Sequence, residues 1–208
     1  MPELELVSAY DPGEVASVMA ARQAGLSEAV HRLYQAILTR FLDTGSPPDQ
    51  TWLQREAEGL GLDPRPACTE LADADLVHLD EGGWVSVAYP FSGVPSGHRV
   101  TLADGPSVWA MCAIDALGIP QMANRDATII ATDPHTNEPV RVEATAGEWR
   151  WTPRSTTVLV AQADTGDASA LCACPHVNFY TSPKHAQAYL SNHPELTGEL
   201  LLAQGAAI

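Results

Sequence analysis

From Ser27 to Gly45 the apolar residues Val30, Leu33, Tyr34, Ile37, Leu38 and Phe41 recur at the spacing of one helical face. Ser27 is a candidate N-cap, and Gly45 with Pro47 is a stop. A second helix is predicted from Asp49 to Leu60, with Trp52, Leu53, Ala57 and Leu60 apolar. A third follows Gly61, from Pro64 to Asp75, with Cys68, Leu71 and Ala72 inward. The next stretch, LVHLDEGGWVSVAY, sets two alternating runs on either side of Asp80-Glu81-Gly82-Gly83, which predicts a hairpin. Three helices followed by a hairpin form a winged-helix-like pattern over residues 28–92. Residues 1–27, with Pro2, Pro12, Gly13 and an Ala-rich stretch, read as an N-terminal arm with one short helix.

Beyond a connector containing Pro90, Gly93, Pro95 and Gly97, the pattern changes, and residues 98–208 read as a second domain. Pro106 to Leu117 is apolar almost all round, with only Ser107 and Asp115 polar, and Gly118 and Pro120 stand beyond it. This predicts a helix buried on every side. Residues 127–131 and 139–144 read as strands around Asp133-Pro134-His135-Thr136-Asn137, and residues 156–163 as another. Cys172 to Tyr180 is a further candidate strand whose start Pro175 confines to an edge or bulge. A helix from Ser182-Pro183 to Leu190 and an apolar tail, GELLLAQGAAI, complete the chain. The expected fold class is α+β: an N-terminal winged-helix-like three-helix domain, then a mixed or antiparallel sheet domain with a buried helix.

Charge removes the partner that a winged helix first suggests. The chain has 11 Lys+Arg against 26 Asp+Glu, a net charge of −15. Between residues 28 and 80 four basic residues face ten acidic ones, and the third helix carries only Arg65 beside Glu70, Asp73 and Asp75. Phosphate neutralisation supplies most DNA affinity, so this face repels a duplex, and neither nucleic acid nor an anionic membrane is an expected partner. No window approaches the roughly 18 unbroken apolar residues of a membrane helix. The acidic start MPELELVSAYDPGE lacks the basic and apolar regions of a secretory signal, so the expected location is cytoplasmic.

In a reducing compartment the four cysteines, Cys68, Cys112, Cys172 and Cys174, point toward metal binding or catalysis rather than a disulfide scaffold. Asp115 follows Cys112 by three positions in the apolar run, where a carboxylate is costly unless paired or protonated. The bland alternative makes Cys112 a small core residue and Asp115 a cap for a nearby loop. Cys172, Cys174 and His176 would share one face of an extended segment, a soft-metal pattern. Its bland alternative is a strand edge with two incidental thiols.

VWAMCAIDALGIP resembles the Cys-x-x-Asp helix of the organomercurial (alkylmercury) lyase family, and the Pro139-Val140 strand and Cys174 just ahead of HVNFYTS match further segments of it. Weaker similarity covers the N-terminal helices, which in that family form a winged-helix-like domain, so the resemblance spans most of residues 28–200. It implies that Cys112 and Cys174 are the two mercury-binding thiols and Asp115 the proton relay. The familiar members have adjacent cysteines before His-Val, the first of them catalytic. Here Pro175 takes the second place, and Cys172 lies two residues upstream of Cys174 as a further possible mercury ligand. A family cysteine thought to be structural falls near Asp133.

The chemistry that this implies needs no organic cofactor. A thiolate displaces the anion of R–Hg–X, a second thiolate weakens the carbon–mercury bond, and a buried carboxyl passes the first thiol's proton to the departing carbon. The products are a hydrocarbon and Hg²⁺, the latter passed to small thiols or a mercuric reductase, as in mercury detoxification. A non-catalytic soft-metal binder, or a relative recruited to another reaction, would use the same thiols. The shared site requires Cys112 and Cys174, 62 positions apart, to meet.

Overall fold

The computed structural model describes residues 6–7, 19–163 and 173–208, and the chain divides into two compact units, residues 11–94 and residues 95–208 with 1–10. No helix of the described residues is long and apolar enough to cross a membrane. The architecture is mixed α and β with a mainly antiparallel sheet.

The smaller unit holds α1 (Glu28–Thr44), α2 (Gln50–Gly59) and α3 (Pro64–Asp73). Each start is capped by a side chain that accepts a first-turn N–H: Ser27 from Val30, Asp49 from Trp52 and Asp63 from Arg65. Such caps contribute about 1 kcal/mol apiece. Gly45, at φ 73°, ends α1 in the left-handed conformation that glycine adopts without steric cost. Leu33, Ile37, Phe41, Leu53, Cys68 and Leu71 lose all exposure in the core of this unit. The hairpin joins β2 (Val77–Leu79) to β3 (Val85–Ala88), and Asp80 closes its turn by accepting the Trp84 N–H. A short β4 (Phe91–Ser92) pairs with β3, and the Phe91 ring stacks on Phe41 at 5.2 Å. The third helix stops two residues earlier than its pattern predicts, because Asp75 turns to φ 51°.

In the larger unit five antiparallel strands run in the order β6-β5-β7-β8-β9: β5 (His98–Leu102), β6 (Ser107–Ala110), β7 (Ala127–Thr132), β8 (Pro139–Thr145) and β9 (Glu148–Thr152). Alternation gives the sheet one buried face, with His98, Val100 and Leu102 on β5, Ala127, Ile129 and Ala131 on β7, and Val140, Val142 and Ala144 on β8. Helix α4 (Ala113–Ala123) packs against β5, β6 and β7.

The second sheet has the order β1-β12-β10-β11, with β1 (Leu6–Val7) parallel to β12 (Leu196–Leu202). β10 (Thr157–Ala163) and β11 (Asn178–Tyr180) complete it. Helix α5 (Pro183–Ser191) buries Ala186 and Leu190 among Leu159, Ala161, Tyr180, Leu196 and Leu201, and α6 (Gln204–Ala207) ends the chain.

Three expectations are corrected. The apolar run 106–117 is not one helix: residues 107–110 alternate burial and pair with β5, and the helix begins only at Ala113. Two elements of different period, each rich in apolar residues, merge into one featureless run. The helix is also not covered on every side, since Gly118, Gln121 and Met122 are exposed, and it continues through Pro120 to a left-handed cap at Asn124. Residues 174–176 are a 3₁₀ turn rather than strand, so Cys174 and His176 do not share an extended face. The sequence pattern does not show β5 and β9, and the first five residues of the apolar tail belong to β12.

Candidate functional site

The chain leaves β6 with Cys112 still extended, at φ −151° and ψ −179°, and turns at once into α4. Cys112 is therefore the N-cap, and Asp115 the third residue of the first turn. The Asp115 N–H donates to Cys112 Sγ at 3.4 Å, and the thiol donates back to Asp115 Oδ2 at 3.0 Å. On the other side, Cys174 opens the 3₁₀ turn that leads into β11. The N–H of Ala113 donates to the carbonyl of Val177 at 3.0 Å, lacing the two segments together beside the cysteines. The two sulfurs and an Asp115 carboxylate oxygen all lie within 4.8 Å of one another, the one convergence of three or more such ligand groups among the described residues.

Both sulfurs belong to buried residues, Cys112 at 6% and Cys174 at 8% exposure, while Asp115 is partly buried. Burial pushes the Asp115 carboxyl up to about 6, against the opposing pull of its hydrogen bonds with Cys112. A helix N-terminus favours negative charge, but here desolvation outweighs it. Burial first, then the hydrogen bond with the Cys174 thiol and the negative charge of Asp115, raise the Cys112 thiol well above its usual range. At neutral pH the pair is thus a proton-bearing thiol beside a carboxylate able to take that proton. Two sulfur donors suit a soft cation, and a carboxyl within reach adds a proton acceptor.

Cys172 lies outside the described residues. His176 is partly buried and is not one of the three converging donors, and Cys68 is enclosed in the smaller unit. The sequence reading missed Asp133 as more than a departure from the family. It is fully buried and accepts hydrogen bonds from His135, Thr136, Thr181 and His185. The available signal was local: an Asp opening a Pro-containing turn caps the N–H groups that follow it.

Two buried thiols, one at a strand-to-helix junction and one in a 3₁₀ turn, and a carboxyl beside them form a candidate cysteine-based site of a kind that could hold a soft metal ion. The alkylmercury lyase family model matches residues 91–207. An alkylmercury lyase of Staphylococcus epidermidis is 31% identical over 182 residues, covering 78% of this chain and 82% of that one. One of Pseudomonas putida is 28% identical over 161 residues, covering 76% and 72%. The crystal structure of the mercury-bound form of MerB2 superposes with a TM-score of 0.75 over 94% of each chain, at 21% identity. The chain belongs to the alkylmercury lyase family and is an enzyme, a carbon–mercury lyase.

Proposed function

We propose that the chain cleaves organomercurials by protonolysis, with Cys112 and Cys174 as the mercury thiols and Asp115 as the proton relay. The observation that carries this reading is the gathering of both sulfurs and the carboxylate within 4.8 Å. Cys112 attacks R–Hg–X, its proton passing to Asp115 Oδ2 across their hydrogen bond, while X leaves. Cys174 then gives up its proton to the departing X, which becomes HX, and adds as second thiolate. The carbon–mercury bond breaks with its electron pair on carbon, which takes the proton from Asp115. The sum is R–Hg–X plus two thiols giving R–H, HX and Hg²⁺ held by two thiolates. Burial around Cys112 excludes water and suits an apolar R group. Small thiols or a mercuric reductase then accept the Hg²⁺, a step that belongs in the cytoplasm as part of mercury detoxification.

In this reading residues 98–208 form the catalytic domain. The helix–helix–helix–hairpin order supports residues 28–92 as a winged-helix-like domain, whose acidic surface argues against DNA. The test is incubation of the purified protein with phenylmercury and excess small thiol. Release of benzene is expected; mercury retained with no benzene would make the site a binder and overturn the proposal.

A further inference from the structure

The segment that carries Cys174 is held at both ends by the part of the fold that carries Cys112. At the near end is the hydrogen bond from Ala113, next to Cys112, to Val177, three residues past Cys174. At the far end stands Asp133. Its Oδ1 accepts the N–H groups of His135 at 2.8 Å and Thr136 at 3.2 Å, which fixes the turn between β7 and β8. Its Oδ2 accepts the Thr181 N–H at 2.8 Å, lies 2.9 Å from the Thr181 hydroxyl, for whose proton Glu138 Oε2 competes at the same distance, and meets His185 Nδ1 at 3.2 Å. Thr181 directly follows β11, and His185 lies in the first turn of α5.

A fully buried carboxylate with this many donors is a committed anchor. Burial alone would raise its pKa, but the N–H groups of Thr181, His135 and Thr136 together with the Thr181 hydroxyl outweigh it and hold the carboxyl below its ordinary value. The anchor matters because β11, although Phe179 and Tyr180 are fully buried, is an edge strand paired with β10 alone at three registered positions, so no second ladder fixes its backbone.

We propose that Asp133 is a positioning residue for the reaction: by clamping Thr181 to the β7–β8 turn it fixes where the Cys174 segment lies, and so the separation of the two thiols, without touching mercury. This rests on the reading of Cys112 and Cys174 as the mercury thiols. Metal–thiolate bonds are about 2.3 Å long, so one ion shared by two sulfurs needs them roughly 4 to 5 Å apart. The 4.8 Å limit on their separation meets that need. Loss of the clamp weakens the chelate, whereas binding through one sulfur does not depend on the separation.

The test is a double-mutant cycle in the full chain, reading Hg²⁺ retention against rising free cysteine, with circular dichroism and thermal melting to monitor folding. Asp133→Asn keeps one acceptor oxygen but cannot satisfy both halves of the clamp. In the parental chain it is expected to weaken retention about 10- to 100-fold, the usual effect of losing an outer support of a metal ligand. In a Cys112→Ser or Cys174→Ser chain, where one thiol binds alone, the same change should cost nothing more. An equal loss in both backgrounds would reduce Asp133 to a stability role, and no loss in either would remove the clamp; each result overturns the inference. If neither cysteine change alters retention, the assignment of the thiols fails instead. Should Asp133→Asn not fold, Thr181→Val, which deletes one donor and leaves the turn intact, runs the same cycle. A several-fold loss confined to the two-thiol chain is expected, and no loss overturns the clamp.

Discussion

Cys112 and Asp115 are bonded to each other twice: the Asp115 N–H to the sulfur at 3.4 Å and the thiol to the carboxylate at 3.0 Å. The first bond is that of a capping box with sulfur in place of a hydroxyl; the second differs from it, because the carboxylate accepts from the thiol rather than from the Cys112 backbone N–H. The spacing that starts the helix is also the spacing that sets a thiol proton against its acceptor, so the two groups are aligned before any substrate arrives.

Asp115→Asn should separate capture from cleavage. General acid–base catalysis contributes roughly 10²- to 10⁴-fold, while mercury affinity resides in the thiolates. The variant should bind phenylmercury as the parent does and release benzene slower by that factor. Benzene release at the parental rate would assign the proton to another donor.

The pH dependence of kcat/KM follows from the same group. On the proposed relay Asp115 must be ionised to take the Cys112 proton, and burial pushes its pKa up to about 6. Activity should therefore fall about tenfold per pH unit below that value. A pH profile over 4.5 to 8 with no such limb would contradict the relay, as would a limb that survives in Asp115→Asn.

Stability gives an independent reading of the same burial. A carboxyl whose folded pKa lies above its unfolded value contributes most below the unfolded pKa, and that contribution is lost as pH rises through the folded one. For a shift from 3.8 to about 6, the parent should lose about 3 kcal/mol relative to Asp115→Asn across that window. Denaturant melts of both proteins at pH 4 and pH 7 would show it as a gap that opens in favour of the variant.

The cysteines should divide two against one. Cys112→Ser and Cys174→Ser are each expected to abolish benzene release, and Cys172→Ser to leave most of it. Abolition by Cys172→Ser with Cys174→Ser active would move the second thiol two residues upstream.

The chemistry was more legible than the elements that hold it. Rare residue types marked Cys112, Asp115 and Cys174, and α1 announced its own ends through Ser27 and Gly45. The run 107–117 hid a strand-to-helix junction, because apolar side chains on both elements erase the change of period. Asp133 was legible only in part: its cap on the turn that follows is local, but its partner Thr181 lies 48 positions away, and no local pattern reports a bond made only by folding.

The order of the strands also bears on how mercury leaves. Cys112 follows β6, at one sheet, and Cys174 precedes β11, the outermost member of another. The two cysteines therefore belong to different ladders, joined by the Ala113–Val177 bond and the Asp133–Thr181 clamp. Drawing Cys174 away from Cys112 would break those bonds as well as the β10–β11 ladder and would expose Phe179 and Tyr180, so it costs far more than the fraying of a free edge. On the proposed function, mercury held by both sulfurs would then leave by exchange with incoming thiols, one sulfur at a time, while the two protein segments stay in place.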